Sequence, residues 1–436
     1  MERLIEKKLI GWKDNPSKMP LVLLGARQIG KTHTVFNFGK THYKDVAVFN
    51  FENNNPLKAI FEQDADPARI VSELERHSLR RVTPDVLIFF DEIQACPKAL
   101  TSLKYFTENA PQYNIIAAGS LLGVAVNREG FSFPVGKVDR LAMYPMNFEE
   151  FLLGRGEEKL ADAIKNAFND NMPLPQNIHK TAMDLYGIYL VVGGMPKAVL
   201  EYMEKGDFDF VRIIQRQILA DYDADMIKYS AVSESVKIRA VYASIPAQLA
   251  KENRKFQYSL IGSNARAAAY EIGLRWLSDA GLIYICGKVN EGKIPLKNYA
   301  DLLSYKVYLN DTGLLNCHSD LPPALVLSGK FGGEAKGAIT ENYIMQQLIF
   351  NELIPYYWES RGRAEIDFVL QSDTAVLPIE TKSADNTKAK SLAVFVKKYG
   401  IDKSIRISSK NFGFENNIKS VPLYAAFCIN QNMKRA

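Results

Sequence analysis

The fold of this 436-residue chain is decided by the stretch Leu21-Val-Leu-Leu-Gly25-Ala-Arg-Gln-Ile-Gly30-Lys31-Thr32. Its four leading apolar residues predict a buried strand. The glycines that follow allow a tight turn in which successive backbone N–H groups point toward one anion. Lys31 adds a cation, and Thr32 adds a hydroxyl at the start of a predicted helix whose N-terminal dipole also favours an anion. The spacing therefore predicts a phosphate-binding loop between a strand and a helix.

The P-loop pattern G-x-x-x-x-G-K-[ST] is matched without departure by eight consecutive residues: Gly25, Ala26, Arg27, Gln28, Ile29, Gly30, Lys31 and Thr32. In this pattern the backbone of the loop holds the phosphates of a nucleotide. We expect Lys31 to reach the β- and γ-phosphates of ATP, and the Thr32 hydroxyl to hold Mg²⁺. ATP and Mg²⁺ are accordingly the predicted cofactors.

A second motif, Asp85-Val-Leu-Ile-Phe-Phe90-Asp91-Glu92, places two acids after five apolar residues. The apolar run predicts a strand buried on both faces of a parallel sheet. Ligands bind at the C-terminal ends of such strands. The motif resembles a Walker B strand, which implies that Asp91 holds Mg²⁺ through water and that Glu92 deprotonates the attacking water. An acidic turn after a core strand is the structural alternative.

Ser120 is a further candidate because of its position after the Walker motifs. The strand predicted from Tyr113 to Ala118 leads to Ser120, in the position of the sensor-1 residue that reads the γ-phosphate in AAA-type ATPases. Ordinary Gly-Ser turn chemistry is the alternative interpretation of Ser120.

The segment 131–151 resembles the one that closes the ATPase domain in a large group of prokaryotic AAA-type ATPases, whose C-terminal half has no characterised function. The family carries a Gly-Arg pair here, and its arginine is a candidate arginine finger. This chain departs from the pattern, because it has Gly136-Lys137 with Arg140 three residues later. Arg140 is our candidate finger, and an arginine at a strand edge is the alternative.

Composition points to a cytoplasmic globular protein. The chain is 47% apolar and 24% charged, which is ordinary for folded domains. It contains no run of about 18 apolar residues, so we expect no membrane-spanning helix. The N-terminus carries acids within a predicted amphipathic helix and does not have the pattern of a signal peptide. The four cysteines lack the spacing of metal ligands, and we expect reduced packing residues.

Residues 236–310 have the order of a winged helix, with a hairpin predicted at 287–299. Five basic residues in its second helix and hairpin are candidates for DNA contact: Arg266, Arg275, Lys288, Lys293 and Lys297. Acidic residues are mixed among them. Packing of this module as a lid or a protein contact therefore remains an open alternative.

The second constellation lies on two strands near the C-terminus. Glu365-Ile-Asp367-Phe-Val-Leu370 predicts one strand, and Ala375-Val-Leu-Pro-Ile-Glu380-Thr381-Lys382 predicts its partner. Alternation puts Glu365 and Asp367 on one face of the first strand, and Glu380 and Lys382 on one face of the second. A helix that carries Glu341 precedes both strands.

This order and the spacing D-x(12)-E-x-K resemble the PD-(D/E)xK nuclease core. The resemblance implies that Asp367 and Glu380 hold Mg²⁺, that Lys382 helps to activate water, and that Glu341 is a supporting acid. A cross-strand salt bridge is the structural alternative. From residue 380 to the end, eleven Lys/Arg and four Asp/Glu give a charge of +7, so the remainder carries −2. This basic segment is compatible with nucleic acid, or with a solvated helix face.

We therefore expect an α/β chain in four parts. These are an AAA-type P-loop ATPase domain with a parallel sheet (1–155), a helical linker or lid (156–230), a winged-helix-like module (231–330) and an α/β nuclease-like domain of the restriction-endonuclease type (331–436). ATP hydrolysis with Mg²⁺ would drive conformational change in a C-terminal half that binds nucleic acid or a protein partner. The alternatives are an ATP-regulated, Mg²⁺-dependent DNA nuclease and a nucleotide-gated protein-interaction scaffold. An oligomer is compatible with each.

Overall fold

A computed structural model describes residues 2–125, 133–262, 266–360, 364–372, 374–382 and 390–431. Some predicted features extend outside this part: the start of the segment 131–151, and residues 383–389 and 432–436 of the basic C-terminal segment. The chain divides into two compact units. The first contains residues 2–144 with Asp279–Gly281, and the second contains Pro145–Ser278 with Leu282–Ala436.

The first unit is a parallel sheet with helices between its strands. Its elements are α1 (Ile5–Asp14), β1 (Leu21–Leu24), α2 (Lys31–His42), β2 (Asp45–Asn50), α3 (Asn55–Gln63), α4 (Pro67–Ser78), β3 (Val86–Asp91), α5 (Pro97–Asn109), β4 (Asn114–Ala118), α6 (Leu122–Ala125) and β5 (Asp139–Ala142). The strand order is β2-β3-β4-β1-β5, and every neighbouring pair is parallel. The predicted P-loop NTPase sheet is therefore present.

The apolar residues of this sheet form its buried core. All six residues of β3 are buried, as a strand covered on both faces requires. The rings of Phe51, Phe61 and Phe90 meet edge to face, with centroids 5.5–5.7 Å apart. A break before Pro67 separates α3 from α4, and the Asp66 carboxylate caps the first N–H groups of α4. Strands and turns thus follow from local sequence here.

The second unit combines helices with a mixed sheet. Its elements are α7 (Phe148–Gly154), α8 (Glu158–Asp170), α9 (Gln176–Val192), α10 (Pro196–Lys205), α11 (Phe208–Lys228), α12 (Val232–Leu249), α13 (Ala267–Asp279, ending in the first unit), β6 (Ile283–Val289), β7 (Ala300–Leu309), α14 (Thr312–His318), α15 (Pro323–Ser328), α16 (Gly333–Phe350), β8 (Tyr356–Ser360), β9 (Ala364–Gln371), β10 (Val376–Thr381), α17 (Lys390–Tyr399), β11 (Ser404–Ser408), β12 (Gly413–Glu415) and β13 (Ile418–Pro422).

One eight-stranded sheet runs through this unit in the order β12-β13-β11-β10-β9-β8-β6-β7. Strands β9 and β10 form the predicted antiparallel pair. Strand β6 pairs in parallel with β8, which joins residues 283–309 to the C-terminal strands. The sheet therefore includes strands from both segments that the sequence assigned to a winged-helix-like module and a nuclease-like domain.

The hairpin predicted at 287–299 is wrong in its extent. Strand β6 ends at Val289, and its antiparallel partner β7 begins only at Ala300. The connection contains Pro295, which has no N–H to donate to a strand ladder, and a 3-10 turn at Leu296–Tyr299. Within the described residues no helix is both long and apolar enough to cross a membrane. The four cysteines are buried and free.

Candidate functional site

The loop between β1 and α2 has the backbone that its glycines predict. Gly30 adopts a left-handed φ of 91° immediately before α2. Gly25 has φ +142°, and a Cβ at this position would lie 2.3 Å from the backbone oxygen of Met143. A side chain at Gly25 would therefore collide with backbone. Glycine is therefore required at both ends of the loop, by the positive φ at Gly30 and by both the positive φ and the lack of space at Gly25.

Lys31 lies inside this loop. Its Nζ donates to the backbone oxygens of Gly25, at 2.8 Å, and Ala26, at 2.6 Å. The side chain is buried, and burial lowers the pKa of the ammonium to about 8, against the opposing charges of Glu92 and Asp91. A buried ammonium that donates to neutral carbonyl groups favours an incoming anion. The loop and Lys31 can therefore hold phosphate.

The predicted metal ligands Thr32 and Asp91 are in contact. Thr32 Oγ1 donates to Asp91 Oδ2 at 3.1 Å, and Asn50 Nδ2 donates to the same oxygen at 3.3 Å. Burial and the charge of Glu92 raise the pKa of the Asp91 carboxyl. A hydroxyl and a carboxylate are hard oxygen donors, which suit Mg²⁺ when phosphate and water complete its coordination. The donor set fits this ion.

Glu92 and Ser120 also meet, and Gln94 joins them. Glu92 Oε2 accepts from Ser120 Oγ at 3.3 Å and from Gln94 Nε2 at 2.5 Å. Gly119 provides the space, because a Cβ there would lie 1.9 Å from Gln94 Oε1. The sequence interpretation included Glu92 and Ser120 but missed Gln94. The sequence feature that could have identified Gln94 is its position two residues after Glu92.

Arg140 lies on β5, at the edge of the sheet. It is exposed, and its guanidinium carbon lies 4.1 Å from the centre of the Phe133 ring. Lys137 forms an ion pair of 2.9 Å with Glu108. Arg140 is thus presented to solvent, where a finger that acts on a neighbouring subunit would have to be. Its role stays a prediction.

Arg3 supports the phosphate-binding loop and was missed in the sequence. Its Nη1 donates to the backbone oxygen of Ile29 at 2.8 Å, and its Nη2 donates to that of Tyr144 at 2.7 Å. The side chain is buried. Arg3 therefore holds the Ile29 carbonyl of the phosphate-binding loop, although Arg3 itself lies outside the loop. No local pattern marks an arginine at the start of a helix for this contact.

The second constellation surrounds one cavity of about 320 Å³ in the second unit. All four predicted residues line it, namely Glu341, Asp367, Glu380 and Lys382. Glu365, which alternation put on the same face as Asp367, also lines it, and the sequence missed the other five lining residues: Arg254, Gly337, Thr340, Thr381 and Ser391. The fold thus brings the predicted residues together, although they come from a helix and two strands.

Cations neutralise the acid on the helix. Glu341 Oε1 accepts from Arg254 Nη1 at 2.5 Å, while Oε2 accepts from Tyr308 OH at 3.0 Å and Lys306 Nζ at 3.4 Å. Burial alone would raise the pKa of the Glu341 carboxyl, but Lys306 and Arg254 outweigh it and the pKa is lowered. Lys306 also pairs with Glu365 at 2.5 Å. Glu341 is therefore an ionised, fully paired acid.

The strand residues are arranged differently. Asp367 Oδ2 accepts from the backbone N of Thr381 at 2.7 Å and from its hydroxyl at 2.8 Å. Burial and the charge of Glu341 raise the pKa of Asp367 to about 7. Glu380 Oε1 pairs with Lys382 at 2.8 Å, and because Lys382 follows Glu380 by two residues, this is not the cross-strand salt bridge of the structural alternative. In the described part of the chain, no three His, Cys, Asp or Glu side chains are grouped as metal ligands.

The candidate DNA-contact residues are partly neutralised by acids nearby. Arg275 pairs with Glu271, one turn earlier on α13. Lys288 pairs with Asp301 at 3.8 Å, and Lys293 pairs with Glu291 at 3.6 Å. These ion pairs reduce the positive charge that the segment presents. DNA contact by this segment stays a prediction.

Family models match three parts of the chain. Residues 17–152 match a model described as an AAA domain. Two further models, each described as a domain of unknown function, match residues 183–325 (DUF8612) and 336–426 (DUF4143). The chain has no significant match among curated proteins.

Several solved structures are similar to the chain at low identity. A Walker-type ATPase of Pyrococcus abyssi is 15% identical, with a TM-score of 0.45 over 73% of this chain and 95% of that one. The ORC2 protein of Aeropyrum pernix (ADPNP–ADP complexes) is 12% identical, with a TM-score of 0.34 over 78% and 94%. The RuvB branch migration motor of Thermotoga maritima is 14% identical, with a TM-score of 0.30 over 65% and 89%.

The family match agrees with the geometry of the first unit. The matched segment contains all five parallel strands, the phosphate-binding loop and the paired acids after β3. Residues 17–152 are therefore similar to an AAA domain and have the parallel sheet of a P-loop NTPase.

Proposed function

We propose that this protein binds ATP with Mg²⁺ at the loop 25–32 and hydrolyses it. The observation that carries the proposal is the hydrogen bond between Thr32 and Asp91, which joins the two motifs that act on one nucleotide. Lys31 and Glu92 flank this pair, one on each motif. The residues that bind phosphate, hold the ion and activate water are thus neighbours at the C-terminal ends of strands β1 and β3.

Each residue has one task in this reaction. The N–H groups of the loop and the Lys31 ammonium bind and orient the phosphates. Thr32 and Asp91 hold Mg²⁺, which neutralises charge on the phosphate oxygens when bound. Glu92 accepts a proton from the attacking water. Ser120 and Gln94, which both donate to Glu92, orient its carboxylate toward that water.

Arg140 supplies positive charge to the γ-phosphate of a neighbouring subunit in this proposal. Its exposure on the edge strand β5 supports that role, since an arginine acting in trans must project from its own subunit. The proposal therefore includes an oligomer that forms when ATP is bound. Hydrolysis then changes the conformation of the C-terminal half, residues 156–436, which binds a nucleic acid or a protein partner.

A second candidate activity is Mg²⁺-dependent cleavage of DNA by the second unit. The observation that favours it is the convergence of Glu341, Asp367, Glu380 and Lys382 on one cavity. Incubation of supercoiled and linear DNA with Mg²⁺ or Mn²⁺, with and without ATP, tests it. Cleavage that is abolished by Asp367→Ala is the expected result. Equal cleavage by the parent and this variant would contradict it.

The ATPase proposal is tested by phosphate release from ATP in the steady state. The Lys31→Ala variant should lose turnover, because the phosphates lose their cation. Lys40→Ala is the matched control, since Lys40 is an exposed lysine on the same helix. Parent-like turnover by Lys31→Ala would contradict the assignment of the loop.

A further inference from the structure

We infer that the acidic cavity of the second unit is a divalent-cation site whose cation position is filled by the guanidinium of Arg254. The inference rests on the second candidate activity only in that both place a metal ion in this cavity. It goes beyond that activity by naming the residue that controls access. It is independent of ATP hydrolysis, which uses another site.

The first observation is the way Arg254 enters the cavity. A Cβ on Gly337 would lie 2.2 Å from Arg254 Nη2, so the guanidinium occupies the space that a side chain on α16 would take. Arg254 itself has a left-handed φ of 49°, which is uncommon for a residue other than glycine. The left-handed backbone of Arg254 and the absence of a side chain at Gly337 thus allow the guanidinium to reach Glu341.

The second observation separates Arg254 from the other buried cation. Lys306 is fully buried on β7 and is shared between Glu341 and Glu365. Arg254 lies in the connection after α12, its side chain is 16% exposed, and its Nε has no hydrogen-bond partner among the described residues. Lys306 is therefore held in place between two acids. Arg254 is the cation that can leave.

The third observation points to a ligand. Glu380 is 2% exposed and lines the cavity, yet its Oε2 has no hydrogen-bond partner in the described part of the chain. A buried carboxylate oxygen without a partner is costly. Glu341 Oε1 would be released when Arg254 withdraws, and the Asp367 carboxylate lines the same cavity. With Arg254 in place, no three acids of the described residues are grouped as metal ligands. The set of hard oxygen donors that Mg²⁺, Mn²⁺ and Ca²⁺ take is therefore completed only when the guanidinium withdraws.

Charge explains why the two cations exclude one another. Arg254 and a divalent ion both neutralise Glu341, and like charges a few ångströms apart in a buried site repel. Binding of the ion requires withdrawal of the guanidinium, and the apparent affinity is reduced by the fraction of molecules in which Arg254 is outside. Any partner that draws Arg254 away would activate the site.

The test measures binding of Mn²⁺ alone to the full chain, without nucleotide, by isothermal titration calorimetry. Arg254→Met removes the cation, and Gly337→Ala expels it while keeping the arginine. Both variants should bind one Mn²⁺ at least about tenfold more tightly than the parent. Adding Glu380→Gln to either should abolish the gain. Arg239→Met is the control, because Arg239 pairs with Asp223 away from the cavity.

Parent-like Mn²⁺ affinity in the folded variants would overturn the inference. If parent and variants all bind tightly, the metal site stands but Arg254 does not control it. If none binds, the cavity holds no metal and the second candidate activity fails with it. A gain that survives Glu380→Gln would also overturn the inference. The two substitutions displace the guanidinium by different routes, so a folding defect in one, detected by circular dichroism, leaves the other decisive.

Discussion

Thr32 and Asp91 are 59 positions apart in the sequence, and the Thr32 hydroxyl lies 3.1 Å from Asp91 Oδ2. The contact joins the start of α2 to the end of β3, two strands away from β1 in the sheet. An ATP-bound Mg²⁺ would meet both oxygens at this position. We therefore expect the Mg²⁺ concentration that ATP hydrolysis needs to depend on the Thr32 hydroxyl.

Thr32→Val should raise the Mg²⁺ concentration needed for half-maximal ATP hydrolysis by about tenfold or more, because valine keeps the shape and removes the oxygen. Thr32→Ser, which keeps the hydroxyl, should resemble the parent. Thr41→Val, on the exposed face at the end of α2, is the control for loss of a hydroxyl. A Mg²⁺ dependence unchanged by Thr32→Val would show that this oxygen does not hold the ion.

Gln94→Met should lower kcat by about tenfold and change the KM for ATP by less than about twofold. The reason is that the Gln94 amide donates to the Glu92 carboxylate, and a hydrogen bond to a charged group is worth about 1.5–3 kcal/mol. Steady-state kinetics separate the two parameters. Gln63→Met, at an exposed position on α3, serves as the control. A change in KM alone would mean that Gln94 acts in binding.

Arg3→Met should weaken ATP binding severalfold and lower the free energy of unfolding of the first unit by about 2 kcal/mol. Both effects follow because the carbonyls of Ile29 and Tyr144 lose their donor, and a buried polar group without a partner costs about 1–3 kcal/mol. Lys7→Met, exposed on α1, is the matched variant. Loss of stability with unchanged ATP affinity would restrict Arg3 to a structural role.

Asp311 makes stability depend on pH in a defined direction. Its pKa is raised to about 6 by burial, although Gly194, Leu314 and Gln346 donate to it. The folded chain therefore keeps this proton up to about pH 6, and the unfolded chain loses it near the ordinary pKa of 3.8. The contribution is fully present below pH 3.8 and is lost as pH rises through 6.

Asp311→Asn removes this titration, so the thermal destabilisation that it causes should be smaller at pH 7 than at pH 4.5. Differential scanning calorimetry of parent and variant at both pH values measures the difference in Tm. Asp320→Asn, at an exposed position near the end of α14, provides the control. A difference in Tm that is the same at both pH values, or larger at pH 7, would contradict the raised pKa.

The sequence predicted the parts of the site that are local. Gly25 to Thr32 lie in one turn, and the apolar run before Asp91 specifies a buried strand, so pattern alone located both motifs. Gln94, Asn50 and Arg3 were missed because their partners are set by tertiary packing. A polar residue near a strand end gives no indication of which carboxylate or carbonyl it will meet.

The second unit shows the same limit. The two strands that carry Asp367 and Glu380 follow from alternation, and they converge with Glu341 as predicted. Arg254 could not be placed in their cavity, because its entry depends on the absence of a side chain at Gly337, 83 positions later in the sequence. Likewise, the parallel pairing of β6 with β8 is a contact between distant segments that period-2 alternation does not encode.

The most direct test of ATP hydrolysis at this site separates binding from turnover in Glu92→Gln. We expect the variant to bind ATP within about threefold of the parent, because Lys31, Thr32 and Asp91 are unchanged. Its phosphate release should fall by about 100-fold or more, because the amide cannot accept the proton of the attacking water. Phosphate release at the parent rate by Glu92→Gln would contradict the proposal that Glu92 activates the attacking water for ATP hydrolysis.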